Sequence, residues 1–180
     1  MIIIVIAIVA LLVLWVISIQ NKLVKSDEIC NNALKQINVQ QMSRYDALKA
    51  LVKLTREYAS HESEAFQKVV EGRRITSSPS PTAAEINANE EVLRDIGSKL
   101  IAVAEAYPDL KANQNYQQAM QDIKQYEENV RLARMTFNDT VTKFNNQVRM
   151  FPGSVVAGIL GFAKRDYLAE DESKKDYPVI

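Results

Sequence analysis

The chain has 180 residues, of which 22 are basic and 22 acidic, so it carries no formal net charge and has a pI near 6.6. That balance lacks the basic footprint of a general nucleic-acid binder, and a single His and a single Cys exclude a multi-His metal cage, a Cys/His zinc site and an intrachain disulfide. Five Gly and five Pro, the latter confined to loops, favour long helices over a turn-rich β fold.

From Ile2 to Ile19 every residue but Ser18 is apolar. At ~1.5 Å per residue an 18-residue helix is roughly 27 Å long, just enough to cross a thin hydrocarbon core. No Lys or Arg precedes the run and no A-x-A site follows it, which favours an uncleaved single-pass anchor over a signal peptide. Ile2, Ile3, Ile6, Val13, Trp15 and Ile19 are its characteristic residues, with Trp15 suited to the headgroup level. Lys22 and Lys25 follow the run, so the positive-inside rule places the remainder in the cytoplasm, with an extracytoplasmic domain as the alternative. Residues 1–21 are thus assigned to the anchor, 22–163 to a helical bundle and 164–180 to a polar, flexible tail.

Beyond Ser26 no Pro appears until Pro79. Ile29, Ala33, Ile37, Tyr45, Leu48, Leu51, Val52, Tyr58, Ala65, Phe66 and Val69 recur mainly at spacings of three and four, the stripe of a core-facing helix reaching to about Gly72. A gap at Gln40 and Gln41 weakens it. Ile75 to Thr82 reads as a loop, its two Pro incompatible with a helix interior, and Thr82 with Glu85 forms a capping box. A second helix carries Ile86, Val92, Leu93, Ile96, Leu100, Val103, Ala104 and Tyr107 inward, and Pro108 stops it. A third keeps the rhythm from Tyr116 through Ile123, Val130, Phe137, Val141, Phe144 and Val148 to Phe151, where Phe151-Pro152-Gly153 ends it.

The fold class expected is all-α: an N-terminal transmembrane helix, then an elongated antiparallel bundle of three long helices plus a short C-terminal helix. A coiled-coil seam is the competing reading of so sustained a stripe. The apolar stretch 151–163 is too short to span a bilayer. It reads either as a helix capping the bundle or as a patch touching membrane or another subunit, with Lys164 and Arg165 near lipid phosphates.

Chemistry-bearing motifs are sparse. His61-Glu62 lacks the second His of a zincin, position 65 being Ala. Cys30 has no His near it in sequence and reads as a packing residue or a thiol near the membrane surface. No Gly-rich phosphate loop occurs. No catalytic residue, metal ligand or cofactor is therefore assigned. What exceeds simple packing is the turn Glu105-Ala-Tyr107-Pro108-Asp109-Leu-Lys111-Ala-Asn113. Here Pro108 breaks the helix, Asn113 caps the next one, and Tyr107 with Leu110 staples the corner. Glu105, Tyr107, Pro108, Asp109, Lys111 and Asn113 form a candidate partner-recognition corner.

At this turn the run from Ala102 to Asn113 resembles the signature of the LemA family of bacterial membrane proteins. Glu127-x-Asn129-Val130-x-x-Ala133-Arg134, Phe137-Asn138-Asp139-x-Val141, Phe144-Asn145 and Phe151-Pro152 are similar to its third-helix pattern. Arg44-Tyr45-Asp46 and Tyr58-Ala59-x-His61-Glu62 resemble upstream family segments. Where the family has Ile-Pro-Asn-Leu-Val, this chain has Leu48-Lys49-Ala50-Leu51-Val52, which predicts a first helix without a proline kink. The resemblance implies a helical domain on one N-terminal anchor in the cell membrane, no established catalytic activity, and a link to membrane organisation, including magnetosome membranes. The expected function is a non-catalytic scaffold or adaptor, self-assembling, with membrane lipid as one partner and a further protein partner possible. The alternative is a small-ligand or metal-ion binding module, or an accessory subunit of a membrane enzyme.

Overall fold

The computed structural model describes residues 1–55, 58 and 78–169. Among them the ordered elements are helices: α1 (Ile2–Thr55), α2 (Ala83–Ala106), α3 (Pro108–Ala112), α4 (Gln114–Arg149) and α5 (Gly153–Leu160). The all-α expectation holds, with the apolar segment forming the start of α1. This helix passes through Ser26 and through Leu48–Val52 without a break, as expected of a segment that lacks a proline. The continuation expected to about Gly72, including His61, lies outside the described residues.

The buried face of α1 shows why it stays helical. Leu23, Cys30, Leu34, Ile37, Gln41, Arg44, Leu48, Leu51 and Thr55 are all buried. From Cys30 onward these positions alternate steps of four and three, the seam of a helix packed along its length. Ile29, expected on the inner face, is 46% exposed, and Cys30 takes its place. Gln40 and Gln41 do not interrupt the seam, because Gln41 is itself a seam residue and fully buried.

The described residues divide into two compact units: Met1–Ala33 with Met135–Leu168, and those of Leu34–Arg134 together with Ala169. In the second unit Tyr45, Leu48, Leu51 and Val52 of α1 pack against Leu93, Ile96, Leu100 and Ala104 of α2, Leu110 of α3, and Tyr116 and Ile123 of α4. Direction follows from the bonds. Arg44 reaches Glu127 while Tyr58 meets Asn113, so α4 runs against α1. Tyr116 reaches Leu100 while Arg134 meets Asn87, so α4 also runs against α2. Gln41 bonds Ile86 while Arg44 bonds Glu90, so α1 and α2 run in the same sense. The antiparallel relation therefore holds for α4 against both partners and not for α1 against α2, whose connection passes through residues outside those described.

Helix α2 starts as its sequence predicts. Thr82 Oγ1 accepts from the Glu85 amide at 3.2 Å, and the Glu85 carboxylate accepts from the Thr82 amide at 2.7 Å, satisfying two otherwise orphaned donors.

In the first unit, Leu23 of α1 packs with Val156 and Ala157 of α5, flanked by Ile19, Val148 and Phe162. The corner between α4 and α5 is tight: a Cβ on Gly153 would collide with the Gln147 carbonyl oxygen. The Phe151–Pro152 peptide bond is cis. Gly161, at φ +76°, closes α5 in the left-handed conformation, which glycine adopts without a Cβ penalty. Phe151 ends the predicted stripe on the wrong side, at 80% exposure.

Residues 164–169, read from sequence as the start of a polar flexible tail, are pinned instead. Asn145 accepts from the Arg165 amide and donates to the Arg165 carbonyl, both at 2.9 Å. Asn138 does the same for Leu168, at 3.0 and 3.1 Å. The spacing explains the match. Seven helical residues rise ~10.5 Å, and three extended residues cover ~10 Å, so each asparagine meets one residue of the strap. Leu168 is consequently buried, at 2% exposure.

Candidate functional site

The start of α1 presents a continuous, unpartnered apolar surface. No residue in its most apolar 18-residue window is buried, and Ile2, Ile3, Ile6 and Val13 are each more than half exposed. Surface this apolar on a helix long enough to span a bilayer is what lipid would cover. Trp15, at 46%, and Ile19, packed on the α5 cluster, mark where protein contacts begin.

The corner built from Glu105 to Asn113 forms as a structural turn. Tyr107 ends α2, its amide donating to the Val103 carbonyl, and Pro108 opens the single-turn α3, a position where the missing N–H costs nothing. Asn113 Oδ1 accepts from the Asn115 and Tyr116 amides at 2.8 and 3.2 Å, capping α4, while its Nδ2 donates to the Tyr58 hydroxyl at 2.8 Å. Leu110 is fully buried and Tyr107 packs partly against the core, forming the apolar staple. Glu105, Pro108, Asp109 and Lys111 are exposed. The residues of the corner are thus brought together, with the inner members holding the turn and the outer ones presenting a mixed-charge face to solvent.

Two polar networks were not singled out as sites by sequence reasoning. In the second unit the Arg44 guanidinium, 3% exposed, binds Glu90 at 2.7 Å and Glu127 at 2.5 Å. Gln41 Nε2 joins it, donating to Glu90 at 3.1 Å and to the Ile86 carbonyl at 2.9 Å. One cation thereby ties three helices together, with Glu90 enclosed and Glu127 about half exposed. In the first unit Arg165 reaches Asp27 at 2.7 Å and Asn31 at 2.7 Å, over the Phe144 ring. Arg165 is therefore committed to α1 rather than free for a lipid phosphate; Lys164 remains exposed. The available signals were the polar break at Gln40–Gln41 and the repeated Phe-Asn pairs at 137 and 144. The ionic partners lie 46, 83 and 138 residues apart, and no local pattern announces such pairs.

Cys30 is buried, and desolvation pushes its thiol up from the ordinary value, with the Thr140 hydroxyl partly opposing. A protonated, enclosed thiol is a poor nucleophile. Burial likewise raises the Tyr116 phenol, whose hydroxyl reaches the Leu100 carbonyl. Among the described residues no three His, Cys, Asp or Glu side chains converge as metal ligands would.

Fold and surface together define a chain that is all-helical among its described residues, with α1 carrying a candidate membrane-spanning segment. The sequence matches the LemA family over residues 33–180, and the chain belongs to that family. It is also similar to the magnetosome proteins MamQ 1 and MamQ 2 of Paramagnetospirillum magneticum, each 27% identical over 82 residues. The matched stretch covers 46% of this chain and 30% of each relative's length.

Proposed function

We propose that the protein is a membrane-anchored, non-catalytic helical scaffold or adaptor that associates with copies of itself and organises membrane. The observation that carries this reading is the wholly exposed apolar start of α1, continuous with a helix whose later turns are packed and polar-linked. A surface of that kind is satisfied by lipid and by identical helices. The Ile- and Val-rich faces of the anchor suit close packing between copies. Lys22 and Lys25 support a cytoplasmic domain. The MamQ relatives, named as magnetosome proteins, support a role at a membrane compartment.

The test is the particle mass of the full-length protein in mild detergent, beside a variant with Ile3, Ile6 and Val13 replaced by Leu. A defined multimer that weakens in the variant is the expected result. A monomer in both removes self-assembly and leaves an adaptor, whose partner should then crosslink through Glu105, Asp109 or Lys111.

A further inference from the structure

Helix α5 and the residues before it leave an apolar face uncovered beside the anchor. Phe151 is 80% exposed, Ile159 78%, Met150 65% and Val155 55%. A groove of about 160 Å³ runs between this face and Trp15 and Val16 of α1. Its wall is almost entirely carbon, and from Met150 to Ala163 the chain carries no charged side chain.

The position of this face along α1 decides what covers it. Helix α5 lies against Trp15, Val16, Ile19 and Leu23, where the anchor's own apolar run gives way to Gln20, Asn21 and Lys22. A protein-docking patch on a soluble surface is rimmed by polar groups. Here the exposed charges Lys22 and Lys25 follow the anchor's apolar run, and the exposed Arg149 and Lys164 flank the 150–163 stretch, while none precedes the run. Toward the N-terminus the face continues into the bare surface of the anchor. The length of the anchor argues the same way. An 18-residue span of ~27 Å falls short of a ~30 Å hydrocarbon core, and a second apolar element at its end extends the lipid-facing surface past Ile19.

We infer that α5 is a membrane-embedded interfacial helix: its outer face and the groove beside Trp15 are filled by acyl chains of the host bilayer, while the four cations sit among anionic headgroups. A short apolar helix flanked by basic residues at the boundary of a bilayer gains from both contacts. This deepens the reading of Ile2–Ile19 as a spanning anchor and rests on it.

The test places an environment-sensitive nitrobenzoxadiazole label on the full-length chain at Ile159→Cys, or at Val155→Cys on the same exposed face, in a Cys30→Ala background. The protein is reconstituted in phosphatidylcholine/phosphatidylglycerol vesicles with and without lipids carrying a nitroxide on the acyl chain. Ile6→Cys reports the anchor, and Gln118→Cys reports a water-exposed position. The expected result is loss of more than half the emission at 159, 155 and 6, with 118 unaffected. Quenching at 6 but water-like, unquenched emission at 159 and 155 overturns the inference and leaves the anchor intact. A blue-shifted label at 159 that lipid nitroxides do not reach means protein covers the face, a second copy foremost, and also overturns it. An unquenched label at 6 removes the anchor reading and the inference with it.

Discussion

Neutralising Glu90 with Gln takes the enclosed carboxylate away from a guanidinium that has almost no contact with water. Arg44 then keeps one charged partner, Glu127, and faces an amide where it had a carboxylate at 2.7 Å. Gln41 loses a charged acceptor at the same time. A hydrogen bond to a charged group contributes ~1.5–3 kcal/mol, and breaking a buried pair falls at or above the top of that range. Because Arg44 retains Glu127, a loss of about 2–3 kcal/mol is expected. Glu127→Gln removes a bond of similar length, but that side chain is 54% exposed, and water screens such a pair to below ~1 kcal/mol. For a chain of this size 1 kcal/mol corresponds to ~2–4 °C in Tm. Thermal unfolding of the full-length protein in detergent, followed by far-UV circular dichroism, should therefore fall by about 4–12 °C for Glu90→Gln and by less than about 4 °C for Glu127→Gln. The double variant Arg44→Met with Glu90→Met, which removes both charges and keeps their volume, should recover most of the loss. Equal shifts for the two Gln variants would refute the reasoning, since burial is the property that distinguishes them.

Other expectations follow from single contacts. Gly153→Ala should cost ~1–3 kcal/mol because a backbone carbonyl occupies the Cβ position. Gly161→Ala meets open space and should cost only the ~1 kcal/mol of its left-handed backbone; urea titration that reverses this order would refute the corner geometry. Asn145→Ala should abolish hydrogen-exchange protection of the Arg165 amide, and Asn138→Ala that of Leu168, each with a loss of ~1–3 kcal/mol; unchanged protection would mean the strap is held otherwise. Stability should decline on the alkaline side. Cys30 and Tyr116 both have raised folded-state values, so their contribution is complete below the unfolded values and is lost as pH rises through the folded ones. Cys30→Ala and Tyr116→Phe should each flatten that decline in urea midpoints, and unaltered slopes would show that neither group is linked to folding.

Much of the architecture was readable before any packing was known. A proline-free stretch with a three-four rhythm has one low-energy way to bury its apolar side, and that way is a helix. The uniform apolar run from Ile2 to Ile19 needs a medium other than water. Thr82 with Glu85, Pro108 and Asn113 mark helix ends because their effects act within four residues, through caps and a missing amide. Such local rules place the turn at Glu105–Asn113, and the structure shows Tyr107, Pro108, Leu110 and Asn113 serving that turn.

The periodicity could not say which partner each buried face meets. Ile29 and Cys30 are adjacent, and only the neighbouring helix decides that Cys30 turns inward. Gln41 looked like a flaw in the stripe because its acceptors, Ile86 and Glu90, lie more than forty residues away. The polar composition of 164–169 suggests a free tail, yet asparagines seven apart on α4 match the reach of an extended strap. The common direction of α1 and α2 also has no signature in either helix. Helix formation is fixed by interactions three and four residues apart, which the order of residues records directly. Partnership, ion pairing and the docking of α5 beside the anchor depend on distances through space, and these exist only once the chain has folded.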